Sequence, residues 1–237
     1  MSRESEIRNT AYRTTPRNRV RRLPKRGHYD RETVHRVLDQ GLIAHIGYVI
    51  DGQPYVTPTC YWREGEQLYW HGSSASRMLR AQKGGLPVCL TVTHFDGLVL
   101  ARSAFHHSIN YRSVMAFGTA RIVDEPAEKA AALEAFVERV APGRWAAIRG
   151  PNRQELKATM VIGMTIEEAV AKIRQGPPVD DEADHALDVW AGLVPTAIRV
   201  GAPVPDPLLR PGIAWPEHLN GWTAGANVDD ILVKYEK

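Results

Sequence analysis

The sequence predicts a mainly β fold with peripheral helices (α+β), built as a small antiparallel barrel, on three observations. Apolar runs of strand length succeed one another from Leu42 to Val123. Asp51-Gly52 joins two of them, and an Asp-Gly pair suits the primed hairpin turn because glycine accepts positive φ without a Cβ clash. Helix-spaced stretches are few, whereas a parallel sheet needs a crossover helix after each strand. At 237 residues, 43% of them hydrophobic and 24% charged, the chain can bury a full core, so one principal domain with tails is expected.

The elements follow in order. Residues 1–26 lack hydrophobic periodicity and read as an extended basic arm, with Arg8, Arg13, Arg17, Arg19, Arg21, Arg22, Lys25 and Arg26 free of any acid among them. Asp30 can cap a short amphipathic helix that places Val34, Val37 and Leu38 on one face, and Gly41 ends it. Strands are expected at 42–50, 55–62 and 67–71, then a short helix near 72–80, a strand at 87–93, a turn at 94–97 and a strand at 98–101. Strand character resumes at 113–123. Pro126 to Val140 is the clearest helix, with Ala130, Leu133, Phe136, Val137 and Val140 as its apolar stripe and Ala141-Pro142-Gly143 as its stop. A second short helix at 152–158 and strands at 160–166 and around Ala171–Arg174 complete the body at residues 27–178. Residues 179–237, acidic and then proline-rich, form an extension that Trp190, Trp215 and Trp222 suggest is packed on the barrel or on a partner subunit.

Composition excludes several classes. A formal charge of +3 concentrated in one arm gives no broad nucleic-acid-binding field. Cys60 and Cys89 sit in apolar runs, read as core residues, and support neither a disulfide framework nor a cysteine-based metal site. The most apolar early run, 41–50, is too short to span a bilayer, so a reducing, cytoplasmic setting and no membrane contact are expected.

Two stretches carry chemistry. In the first, small hydroxyl residues open a helix at Gly72-Ser73-Ser74-Ala75-Ser76-Arg77, where backbone N–H groups and Arg77 can bind a phosphate, directly after an aromatic and imidazole strand end; a serine-capped surface helix is the alternative. In the second, from Leu98 to Gly118, Arg102, Ser103, His106, His107, Ser108, Asn110, Tyr111 and Arg112 crowd a polar bridge between apolar flanks, which reads equally as a site or as a solvated connection. Lys172 and Arg174 alternate with Ala171 and Ile173, which puts both cations on one strand face, as edge charges or as contacts to an anion.

Tyr-Trp-His-Gly-Ser-Ser-Ala-Ser-Arg-Met at 69–78 and Asp-Gly-Leu-Val-Leu-Ala-Arg-Ser-Ala-Phe-His-His-Ser-Ile-Asn-Tyr-Arg-Ser-Val at 96–114 resemble the flavin-nucleotide-binding proteins related to pyridoxamine 5′-phosphate oxidase. Ala-Lys-Ile-Arg-Gln-Gly-Pro-Pro at 171–178 and Val-Trp-Ala-Gly-Leu-Val-Pro at 189–195 extend the likeness, which covers residues 26–220. Within that group, Tyr69-Trp70-His71-Gly72 is similar to the aromatic strand end and His-Gly pair of nitroimidazole-resistance flavoproteins. The resemblance implies a split β-barrel, antiparallel and Greek-key-like, and a homodimer with FMN in a groove at the subunit interface. It implies that Thr57, Pro58 and Thr59 line the flavin and that Trp70 and His71 approach the isoalloxazine. Ser76 and Arg77 would hold the phosphate, and Tyr111, Arg112 and Ser113, with Lys172 and Arg174, would complete the pocket.

The chain departs from true pyridoxamine phosphate oxidases, which carry an Arg-Lys pair where this chain has Arg77-Met78, basic residues where it has Thr57, and an arginine-rich carboxyl-terminal strand that it lacks. Vitamin B6 oxidation is therefore not expected. The function implied is an FMN-dependent oxidoreductase of a small nitro-aromatic or quinone-like molecule, with His71 either donating a proton or only a hydrogen bond to a flavin carbonyl. The alternatives are a flavin-binding or sensing module without turnover, and a haem- or deazaflavin-binding split barrel, with nine histidines available to iron.

Overall fold

The computed structural model describes residues 10–74 and 85–233. Among these residues it contains the strands β1 (Gly27–His28), β2 (Ile43–Ile50), β3 (Gln53–Glu64), β4 (Gln67–Ser73), β5 (Leu86–Leu100), β6 (Ser108–Ile122), β7 (Thr159–Thr165), β8 (Glu168–Arg174) and β9 (Gly192–Pro195). The helices are α1 (Arg31–Asp39), α2 (Pro126–Val140), α3 (Arg153–Ala158) and α4 (Val228–Val233). The strands are hydrogen-bonded in the order β1-β8-β6-β7-β4-β3-β2-β5-β9, and a further β5–β6 pairing closes six of them into a ring. This is the mainly β, antiparallel class that the sequence predicts. No helix among the described residues is long and apolar enough to cross a membrane.

The described chain divides into two compact units, one of residues 10–38, 91–116 and 168–197, the other of residues 39–74, 85–90, 117–167 and 198–233. In the first unit, Asp30 Oδ1 accepts from the Thr33 backbone N–H at 2.8 Å and so starts α1, which buries Val34, Val37 and Leu38. Residues 10–26 are pinned down along their length. Tyr12 is buried with its hydroxyl 2.9 Å from His35 Nε2, Asn18 donates to the Ala169 carbonyl, and Arg17 pairs with Glu168 at 2.8 Å. Arginines dominate this segment's composition, but Tyr12 and Asn18 anchor it.

The turn expected at 94–97 is instead part of β5, which runs unbroken to Leu100. Gly97, with φ +152°, lets β9 come close: a Cβ there would lie 2.7 Å from the Val194 carbonyl oxygen. Asp96 does not cap a turn, because its carboxylate binds Arg112. In the same way β6 begins at Ser108 rather than 113, so the polar bridge shrinks to 101–107 with a single turn at Ala104–His106.

In the second unit, β2 and β3 form the expected hairpin, with Ile50 opposite Gln53 and positive φ at both Asp51 and Gly52. α2 starts at Pro126, capped by the Glu125 carboxylate, which accepts from the Glu128 backbone N–H at 2.5 Å. Its inner face is Ala132, Leu133, Ala135 and Phe136 on Trp62, Tyr69, Val123 and Val161, whereas Ala130 is exposed, which corrects the expected stripe. A small side chain at 132 lets the helix approach the sheet while Leu133 and Phe136 flank the contact. Cys60 also departs from expectation: it is exposed, and Cys89 is only half-buried, both as free thiols, because strand alternation turns Cys60 outward with Val56 and Pro58. The extension contributes α4, whose Ile231 and Leu232 are buried and whose Leu232 carbonyl accepts from Arg139 at 2.9 Å.

Candidate functional site

Strand parity sorts the expected flavin contacts of the second unit. Tyr61 stands opposite Trp70 and Trp62 opposite Tyr69 across β3 and β4. Thr57, Thr59, Tyr61 and Trp70 therefore share one face of the sheet, and Pro58, Trp62, Tyr69 and His71 share the other. On the first face Trp70 is wholly buried, and the Thr57 hydroxyl lies 3.1 Å from that of Tyr48. On the second, His71 lies under α2, its ring centroid 4.7 Å from that of Phe136 and 5.6 Å from that of Trp62. The structure thus separates Trp70 from His71 by the thickness of the sheet. Adjacent strand residues of regular backbone have no other option.

His71 is half-buried, and burial pushes its imidazole below the ordinary value of 6.5, so the neutral ring dominates at neutral pH. Its Nδ1 is buried with no hydrogen-bond partner among the described residues, as are Nε1 of Trp62 and Nε1 of Trp70. Three unsatisfied ring nitrogens around one pair of strands are costly unless something else binds there. Beneath α2, Tyr69 donates to Glu128 at 3.3 Å while Arg121 pairs with the same carboxylate at 2.6 Å. Burial and the Glu128 charge raise the Tyr69 hydroxyl, so it stays protonated.

The first unit holds the other expected contacts. Arg112 grips Asp96 through Nε at 3.0 Å and Nη2 at 2.6 Å, a two-toothed contact that fixes the guanidinium plane. The Ser113 hydroxyl donates to the Lys172 carbonyl at 3.2 Å, tying β6 to β8. Arg174 is buried rather than a solvated edge charge, and it binds the Asn110 side chain and the Gly176 carbonyl. Burial lowers its pKa below the usual guanidinium value. Lys172 and Tyr111 are half-buried in the same unit. Ser76 and Arg77, the expected phosphate contacts, lie outside the described residues.

Several shaping residues escape a reading from sequence. Asp96 resembles a turn residue and becomes a partner of Arg112; Asn110 sits mid-strand and orients Arg174. Asp180 accepts from the Arg102 backbone N–H at 2.9 Å and from its Nη1 at 3.0 Å, holding the 101–107 loop whose Phe105 is 89% exposed. Burial alone would raise the Asp180 carboxyl, but the Arg102 hydrogen bonds hold it below the ordinary carboxylate value. Pairing across distant segments is invisible to any local pattern.

The profile of the pyridoxamine 5′-phosphate oxidase family matches residues 30–173, which is more than half of the chain. The chain belongs to this family. The pyridoxamine 5′-phosphate oxidase fold is a flavin-binding one, and the flavocytochrome Anf3 from Azotobacter vinelandii shares it with 43% identity over 89% of this chain and 98% of that one, at a TM-score of 0.83. A FAD and haem binding protein from Mycobacterium smegmatis is 35% identical over 86% and 98% of the two chains, with a TM-score of 0.81. A protein from Bacteroides thetaiotaomicron described in connection with 5-nitroimidazole antibiotic resistance is similar in fold alone, at 19% identity over 62% of this chain and 86% of that one and a TM-score of 0.50. No curated protein matches the chain.

Proposed function

We propose that this member of the pyridoxamine 5′-phosphate oxidase family is a flavin-dependent oxidoreductase that also carries haem and acts as a homodimer on a small molecule. The observation that supports it is the 43% identity, over nearly the whole of both chains, to a protein named a flavocytochrome. The flavin is taken as FAD on the likeness to the mycobacterial FAD and haem protein, with FMN, which the sequence motifs imply, as the other outcome of the measurement. Vitamin B6 oxidation is disfavoured by Met78 and Thr57, so the substrate is read as a nitro-aromatic or quinone-like acceptor.

The residues present fit such groups. When bound, flavin supplies one- and two-electron transfer and haem a one-electron step. Thr57 and Thr59 offer hydroxyl groups on one sheet face, over the buried Trp70, and Pro58 and His71 stand on the other. Ser76 and Arg77 are assigned the phosphate. His71, kept neutral by burial, is assigned a hydrogen bond donated from Nδ1–H to a flavin carbonyl. The neutral imidazole is also the form that ligates iron, and His218 Nε2 is a second buried ring nitrogen with no partner among the described residues. Trp62 and Phe136 exclude water from the His71 ring.

The test is an absorption spectrum of protein purified without added cofactor, followed by mass identification of what it releases. Flavin bands together with a Soret band are expected, and the released mass separates FAD from FMN. Protein that is colourless, and that takes up neither flavin nor haem when supplied, overturns the reading.

A further inference from the structure

In the second unit every residue from 201 to 215 is exposed. The segment is nevertheless braced at both ends. At its start the Val200 N–H donates to the Ala226 carbonyl at 3.0 Å and the Val228 N–H to the Ile198 carbonyl at 3.1 Å; just past its end His218 packs on Gly143, where an added Cβ would lie 3.1 Å from that of His218. Within it, the Leu208 N–H donates to Asp206 Oδ1 at 2.7 Å and the Leu209 N–H to the Asp206 carbonyl at 2.9 Å, which makes a turn. Pro203, Pro205, Pro207 and Pro211 fix φ along the rest, so little backbone freedom is left to lose on docking. Yet this arm presents Val204, Leu208, Leu209, Ile213 and Trp215 to water, the first two almost wholly. Apolar side chains gathered on an ordered segment mark a binding element.

The same unit has a second uncovered apolar surface. Strand alternation turns Pro54, Val56, Pro58 and Cys60 of β3 outward, and the pairing sets Ile43 opposite Cys60 and Val49 opposite Pro54, all of them exposed. Arm and face are uncovered in one and the same chain, so neither covers the other within it. We propose that in the homodimer the 201–215 arm of one copy lies across the β2–β3 face of its partner, and that the partner's arm returns the contact. At about 100 Å² for each of the five arm side chains and for Ile43, Val49 and Val56, two such contacts around a twofold axis remove up to about 1,600 Å² from water, the size of a standard specific interface. Pro58, assigned to the flavin, stands on the covered face, so the partner's arm walls part of each flavin site. The exchange rests on the homodimer reading above and supplies its surface.

The exposed Cys60 thiol on the covered face makes the contact testable in the full chain. Val204→Cys, Leu208→Cys and Ile213→Cys are each oxidised with diamide and run on a non-reducing gel, with light scattering on the untreated protein. At least one variant should give a covalent dimer, and the band should vanish when Cys60→Ser is added. Independently, Val204→Asp with Leu208→Asp should weaken self-association by about tenfold or more, as expected for two lost apolar contacts, and lower flavin retention with it. A dimer by light scattering that gives no Cys60-dependent band in any of the three variants overturns the arm exchange and leaves the homodimer standing. Wild-type protein of single-chain mass, a disulfide that closes within one chain, or self-association unchanged by the two aspartates overturns it as well. Flavin retention that survives loss of the dimer removes the arm from the flavin wall. Protein that holds no flavin but cross-links through Cys60 ends the oxidoreductase reading and keeps the exchange.

Discussion

His71 carries two predictions that separate chemistry from structure. Its folded-state proton affinity is depressed, so between the folded value and the ordinary 6.5 the unfolded chain holds more protons than the native one. Stability therefore rises with pH across that window, is fully present above it and is lost on acidification. Thermal melts from about pH 5.5 to 7.5 should show this slope, and His71→Phe should flatten it. In the same position His71→Ala should keep flavin but change its rate of reduction if Nδ1–H donates a hydrogen bond to the flavin; an unchanged rate leaves the ring only a packing role. Arg77→Ala should weaken flavin retention by about 1–3 kcal/mol, measured by equilibrium dialysis. At this scale residue type is legible and residue orientation is not. The Tyr-Trp-His-Gly run announces a site, yet only the Tyr61–Trp70 and Trp62–Tyr69 pairings reveal that Trp70 and His71 face opposite ways.

Elements were most legible where a local signal has a local cause. Pro126, Asp30 and Asn152 each mark a helix start because a cap acts within one turn. Asn152 accepts from the Gln154 and Glu155 backbone N–H groups at 2.9 Å, so Asn152→Ala should cost about 1 kcal/mol in denaturant melts. Gly118 in β6 shows the opposite situation. A Cβ there would collide with the Thr165 carbonyl oxygen and lie 2.7 Å from Met164 Cγ, both on β7. Gly118→Ala should therefore destabilise by about 1–3 kcal/mol or more, read from the same melts. Nothing around Gly118 in the chain signals this, since the constraint comes from a strand more than forty residues away. The unbroken β5 escaped for the same reason: His94-Phe95-Asp96-Gly97 has turn composition, but β9 and Arg112 claim its polar groups.

For the whole molecule, the antiparallel class and the family were legible from the succession of strands and the long motif runs, whereas the burial of the termini was not. Tyr12, Asn18, Ile231 and Leu232 are isolated anchors within polar or proline-rich sequence, and isolated anchors have no period to detect. Large apolar side chains stay uncovered on the outer face of the β2–β3 hairpin, where Ile43, Val49 and Val56 are exposed, the last at 67%. The homodimer proposed above would cover them if this face is its interface. Light scattering should give twice the 26.4 kDa chain mass, and Val56→Asp should return it to the single-chain value with the melt unchanged; wild-type protein of single-chain mass would remove the dimer. The proline-rich extension adds Val204 and Leu208, each 90% exposed. Such oily side chains on a segment without a core make scarcity the hazard for this molecule. Held concentrated, copies shield one another; diluted for assay, the same protein should adsorb to vessel walls, and the fraction lost in handling should grow as the solution thins.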